Sequence, residues 1–174
     1  MDNFGKYSLF FGPKIEIKCI LLSRHNLDKC FQVGNEMMVR NLLLAGASVG
    51  ERNLSGQTGL HLAAESDNDP IASILLNNNI DWSAVDEDGN NALHVAVKEG
   101  HIKTARVLLT ESRIDAEAWN TKGRSPFHVL ARFCDNNATE MFDLFMECMP
   151  EYNIDKTDAE GNTPLLLAYI KVCF

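Results

Sequence analysis

Apolar residues recur along this chain in paired helical stretches that are separated by polar turns containing glycine. Four of these glycines occupy the same place in the pattern, and successive ones stand 33, 34 and 38 residues apart, at Gly56, Gly89, Gly123 and Gly161. Near the end of each unit comes a pair of large apolar residues, at Leu42-Leu43, Leu75-Leu76, Leu108-Leu109 and Leu144-Phe145. A period of this length with helical apolar spacing predicts an all-α solenoid of stacked helix-turn-helix units.

The apolar spacing and its flanking residues also predict individual helices. A helix over 25–33 would belong to a degraded first unit, and a lone strand-like alternation at 15–20 has no evident partner. Asp69 is predicted to cap a helix whose first residue is Pro70. The remaining predicted helices are Glu36 to Ala45, Ala92 to Lys98, His101 to Thr110, Thr139 to Met149, and a last helix that ends at about Ile170.

A second set of residues repeats at fixed offsets inside the units. The best example is Asn91-Ala92-Leu93-His94-Val95-Ala96, which is similar to the T-P-L-H-x-A signature of the ankyrin-repeat family. The resemblance implies helix pairs joined by β-turn fingers, in which the signature residues have a structural role. These residues are Thr58, His61, Gly89, His94, Gly123, His128, Gly161 and Thr163.

This register divides the chain into six segments. We predict a poorly defined N-terminal segment, a degraded first repeat, two good repeats, a repeat with a lengthened loop between its helices, and a final repeat that lacks its second helix. Their bounds are 1–22, 23–52, 53–85, 86–119, 120–157 and 158–174. Since each repeat is stabilised by its neighbours, the last one is expected to expose Leu165, Leu167 and Tyr169.

Composition narrows the class of protein. A net charge of −8 without a cluster of Lys and Arg argues against nucleic acid or anionic lipid as a partner. The apolar runs are too short to cross a bilayer, and charges interrupt the first thirty residues where a signal peptide would need an apolar run. Five cysteines without regular spacing are typical of reduced thiols, so we expect a cytoplasmic protein.

The residues that could bind a metal ion or act in catalysis are better explained by structural roles. Histidines on successive repeats would stand about 10 Å apart, too far to share one metal ion. The run Asp86-Glu87-Asp88-Gly89 lacks the glycine and glutamate positions of a calcium loop. No nucleophile, base and orienting group come together outside the repeat pattern, so we expect no catalytic residue, no cofactor and no metal; an enzyme is the competing class.

The loop tips are the candidate binding positions, because a rigid scaffold holds their variable side chains. Six residues at or beside the tips are candidate contacts for a partner: Trp82, Glu87, Asp88, Trp119, Lys122 and Arg124. The alternative for both tryptophans is that they pack between neighbouring turns.

A narrower resemblance covers about residues 31–171. Several segments are similar to the late ankyrin repeats of the rabankyrin family, the ankyrin-repeat and FYVE-domain proteins of early endosomes: Val39 to Ala47, Val85 to His94, Val107 to Glu111, Asp115 to Ala118 and Phe142 to Pro150. This resemblance implies a scaffold in endosomal vesicle trafficking, with an endosomal Rab GTPase or other trafficking proteins as partners. No FYVE cysteines are present here, so lipid binding is not implied for any residue; a non-functional or dominant-negative fragment is the alternative.

Overall fold

The structure is a computed structural model that describes residues 31, 34–44, 46, 48, 50–78, 80–110, 114–133 and 137–173. Within these ranges the chain forms eight α-helices and no strand, which confirms the predicted all-α class. The helices are α1 (Glu36–Leu44), α2 (Gly59–Glu65), α3 (Asp69–Leu76), α4 (Ala92–Glu99), α5 (Ile102–Thr110), α6 (Pro126–Phe133), α7 (Ala138–Cys148) and α8 (Pro164–Cys173).

The helices form two layers. Helices α2, α4, α6 and α8 pack side by side in an inner layer, and α1, α3, α5 and α7 form an outer layer against it. The core lies between the layers, where Leu60, Leu93, Leu108 and Phe145 are at most 1% exposed. Helices α4 and α6 each bury their apolar faces against both neighbouring inner helices and one outer helix, as stacking in a repeat protein requires.

Local sequence signals explain where the helices begin and end. Helix α4 begins after Asn91, whose side-chain oxygen accepts a hydrogen bond from the His94 backbone at 3.1 Å, and it ends at Gly100 in the left-handed conformation. The predicted cap of α3 was wrong by one residue. Asn68 is the N-cap and Asp69 the first helical residue, where its charge still favours the helix N-terminus.

The other predicted helices lie within a few residues of the observed ones, and the last differs most. Helix α8 continues to Cys173, three residues beyond the predicted end. The exposure expected for Leu167 was also wrong, because this side chain is 1% exposed, whereas its neighbour Leu166 is 43% exposed. The predicted helix over 25–33 lies, apart from Phe31, outside the described residues, as do segment 1–22 and the strand-like alternation at 15–20.

Candidate functional site

The polar turns between repeats are four copies of one structure, which we call the fingers. In each finger the side chain of the first residue accepts hydrogen bonds from the backbone N–H groups two and four residues later, at 2.8–3.0 Å. The fourth residue is a glycine with φ between +61° and +81°. The four fingers begin at Asn53, Asp86, Asn120 and Asp158.

Consecutive fingers are joined through their backbones. The N–H of Glu87 donates to the carbonyl of Ser55 at 3.1 Å, and the N–H of Thr121 donates to the carbonyl of Asp88 at 3.0 Å. A Cβ at Gly123 would lie 2.7 Å from the backbone nitrogen of Ala159, so this glycine is needed for close approach as well as for its positive φ. The fingers therefore form one rigid row.

The three signature histidines connect each helix pair to the next finger. His61 Nε2 donates to the Asn90 carbonyl at 2.9 Å, His94 Nε2 to the Arg124 carbonyl at 3.0 Å, and His128 Nε2 to the Lys156 carbonyl at 3.0 Å. Because a carbonyl can only accept, Nε2 carries the proton and Nδ1 of the neutral ring is an acceptor. These bonds give each histidine a structural reason to recur once per repeat.

Burial keeps these histidines neutral near pH 7. It lowers the pKa of His94 to about 4, although the hydrogen bond to Arg124 and the charge of Asp86 act in the opposite direction. Burial likewise lowers the pKa values of His61 and His128. A neutral ring is what the hydrogen bonds to the carbonyls and to the cap residues require.

The Ser125–His128 pair has the short spacing of a nucleophile and its base, since Ser125 Oγ lies 2.8 Å from His128 Nδ1. Ser125 is fully buried, and its hydroxyl also lies 2.7 Å from the Tyr152 hydroxyl. His128 Nε2 is bonded to a backbone carbonyl and not to a carboxylate. A substrate cannot reach this pair, which caps α6 and joins it to the following turn.

Arg124 does not project from its finger as the sequence analysis expected. It is 4% exposed, and its Nε donates to the buried Asp158 carboxylate at 3.1 Å while one terminal nitrogen lies 3.4 Å from Glu160. Burial raises the pKa of Asp158, but hydrogen bonds from the Asn162 backbone and from Arg124 lower it more, so that the pKa lies below its ordinary value. Arg124 therefore joins two fingers, and its side chain is not open to a partner.

The other predicted contacts have different environments. Glu87, Asp88 and Lys122 are exposed at the finger tips. Trp119 is 45% exposed, and its ring centroid lies 5.6 Å from that of His128. Trp82 is half-buried and packs against the core. A larger fraction of its side chain is therefore buried than of the Trp119 side chain.

A polar groove runs between the fingers and the inner helices, with a volume of about 350 Å³. We call it the concave groove. Its floor includes Val95 and Val129, and Glu65 and Lys98 line it from the helix side. Glu87, Asp88, Lys122 and the buried Arg124 line it from the finger side, so the groove brings four of the six predicted contacts together.

Two residues important for this geometry were missed at the sequence level. Tyr152 is 7% exposed and bonds to Ser125, and Asp158 pairs with Arg124. Asp158 could have been found, because it occupies the finger position of Asp86. Tyr152 lies in an irregular part of the repeat, where periodicity gives no signal. Among the described residues, no group of histidine, cysteine and carboxylate side chains is placed to hold a metal ion.

Comparison with known proteins gives consistent matches. A family model described as "Ankyrin repeats (3 copies)" matches residues 27–118, and another described as "Ankyrin repeats (many copies)" matches residues 93–146. Rabankyrin-5 of Mus musculus is 59% identical over 145 residues, and that of Homo sapiens is 57% identical over the same length. Both matches cover 83% of this chain but only 12% of the relative.

A more distant relative is the B-cell lymphoma 3 protein homolog of Mus musculus, which is 37% identical over 63% of this chain and 25% of its own length. These comparisons confirm the predicted ankyrin solenoid and the resemblance to the rabankyrin family. They point to a non-enzymatic interaction module. None of the helices described is both long and apolar enough to span a bilayer.

Proposed function

Because this chain belongs to the ankyrin-repeat family, we propose that it is a non-catalytic module that binds other proteins through its fingers and concave groove. The observation that supports this surface is the rigid row of fingers. Their backbones are held by hydrogen bonds within and between turns, while Glu87, Asp88 and Lys122 remain exposed. Binding would order few additional groups, which keeps its entropy cost low.

The partner surface should be basic. Carboxylates outnumber cations in the groove, where Lys98, Lys122 and Arg124 stand against five acids: Glu65, Asp86, Glu87, Asp88 and Glu99. Two of the three cations are already paired, since Lys98 lies 3.3 Å from Glu99 and Arg124 lies 3.1 Å from Asp158. Charges of opposite sign on the partner would accelerate encounter and fix its orientation, and both effects would weaken in high salt. Trp119, partly exposed beside the fingers, is the candidate apolar anchor.

A role in endosomal trafficking is the finer proposal. It is supported by the 57–59% identity with Rabankyrin-5 over 83% of this chain. The partner would then be an endosomal Rab GTPase or another trafficking protein, and the module would lie in the cytoplasm in association with endosomes. Because the chain covers 12% of those relatives, an alternative is a fragment that occupies such a partner without carrying out the longer protein's function.

The test compares the chain with two triple variants by proximity labelling in cells, followed by binding of the recovered partner in vitro. The finger variant carries Glu87→Ala, Asp88→Ala and Lys122→Ala. The control carries Glu140→Ala, Asp143→Ala and Lys103→Ala, which removes the same charges from exposed positions on the outer helices. All six side chains are exposed, so both variants should keep the helical circular dichroism of the parent.

Recovery of a Rab GTPase or trafficking protein by the parent and the control, but not by the finger variant, would support both the module and its surface. Equal recovery by all three chains would reject the fingers as the binding surface. If the folded parent recovers no specific partner, the interaction function does not belong to this chain. The fragment alternative predicts that its expression displaces Rabankyrin-5 from the same partner.

A further inference from the structure

The charge of the concave groove changes along the array. All five acids of its lining lie on the first two fingers and on helices α2 and α4: Glu65, Asp86, Glu87, Asp88 and Glu99. The third finger and α6 contribute no acid to this lining, and their charged lining residues are Lys122 and Arg124. The groove therefore has an acidic section, formed by the first two fingers and their helices, and a basic section, formed by the third finger and α6.

The charges at the finger tips are available to a bound molecule. Glu87 and Asp88 of the acidic section and Lys122 of the basic section are exposed. Their side chains form no ion pair with any residue that the structure describes. Arg124, the other cation of the basic section, is already paired with Asp158. A ligand that matches this surface therefore needs a positive charge over the second finger and a negative charge over the third.

The size of the groove favours an extended chain over a helix. One turn of an α-helix with its side chains is about 10 Å wide and 5.4 Å long and so fills roughly 420 Å³. The whole groove has a volume of about 350 Å³. The backbones of neighbouring fingers are already hydrogen-bonded to each other. An extended segment would therefore be recognised through its side chains and not as an added strand.

The spacing of the two sections matches the repeat of an extended chain. They belong to neighbouring units of the array, whose helices pack about 8–10 Å apart. In the polyproline II conformation, three residues complete one turn and advance about 9 Å, so that residues i and i+3 project to the same side. A segment of this kind can place residue i in the acidic section and residue i+3 in the basic section.

We propose that the concave groove binds an extended segment of a partner protein in which a basic and an acidic residue stand three positions apart. The basic residue pairs with Glu87 and Asp88, and the acidic residue pairs with Lys122. The side chains between them lie over the floor of the groove, which includes Val95 and Val129. This inference rests on the proposed function and adds to it the charge pattern that the partner presents.

The test is titration of the whole chain with three synthetic proline-rich peptides, followed through the NMR chemical shifts of the backbone amides. The first peptide carries arginine and glutamate three positions apart. The second carries the same two residues side by side, and the third carries arginine at both positions of the first. The first peptide should bind about threefold or more tighter than either of the others, because it alone matches both sections. Its binding should shift amides of the second and third fingers.

A charge reversal at Lys122 tests the assignment directly. Lys122→Glu should reverse the preference between the first and third peptides, because an attraction becomes a repulsion in one complex and a repulsion becomes an attraction in the other. The ratio of their dissociation constants should change by about tenfold. The matched control is Lys103→Glu, which reverses the same charge on α5 outside the groove. Since both lysines are exposed, both variants should keep the circular dichroism of the parent.

The proposal would be overturned if the first peptide does not bind, if it binds no tighter than the other two, or if Lys122→Glu and Lys103→Glu change the ratio equally. Any of these results, together with loss of the cellular partner by the finger variant, would leave the proposed function standing with a partner of another chemistry. Equal recovery of the partner by the parent and the finger variant would overturn both. The two proposals therefore fail in distinguishable ways.

Discussion

At the scale of single residues, the signature histidine is a buried hydrogen-bonding bridge whose value depends on its being neutral. His94 is 1% exposed and bonds across to the carbonyl of Arg124. Replacing it with alanine leaves that carbonyl without its partner. We therefore expect His94→Ala to lower the free energy of unfolding by about 1–3 kcal/mol near pH 7. Urea denaturation followed by circular dichroism measures this, and Lys98→Ala on the exposed face of α4 should change little.

The same residue predicts how stability depends on pH. Its pKa is lowered to about 4 from the ordinary 6.5, so below about pH 6.5 the unfolded chain takes up a proton that the folded chain does not. The contribution of His94 is thus complete above that value and is lost as the pH falls towards 4, by roughly 3 kcal/mol in all. His61 and His128 act in the same direction. The unfolding free energy should therefore fall less steeply with decreasing pH in His94→Ala than in the parent, and parallel curves would contradict the assignment.

At the scale of elements, the contact between neighbouring fingers determines how much stability is lost when a finger glycine is replaced. Gly123 and Gly161 both have positive φ, but a Cβ at Gly123 would lie 2.7 Å from the Ala159 backbone, whereas a Cβ at Gly161 meets nothing within 4 Å. Gly161→Ala should cost about 1–2 kcal/mol from the left-handed conformation alone. Gly123→Ala should cost more, because the next finger must also move. Chemical denaturation of both variants measures the difference, and equal losses would show that the contact between fingers is not rigid.

Some of these elements could be predicted from the sequence and others could not. The finger glycines, the caps at Asn91 and Ser125 and the inner helices repeat in phase, so the all-α solenoid could be predicted. The shift of the α3 cap from Asp69 to Asn68 could not, because both residue types cap well and only tertiary packing decides between them. Repeat position alone could not identify Arg124 as buried either. Its ion pair with Asp158, 34 residues later in the sequence, depends on the approach of two neighbouring fingers.

At the scale of the whole molecule, stability should vary along the array, because each repeat is held by its neighbours. Helix α4 packs against α2, α5 and α6, whereas α8 has α6 as its main neighbour. Amide hydrogen exchange in dilute protein should therefore be slowest in α4 and at least about tenfold faster in α8, a difference of about 1.4 kcal/mol in opening free energy. Similar protection in both helices would mean that the array opens as one cooperative unit.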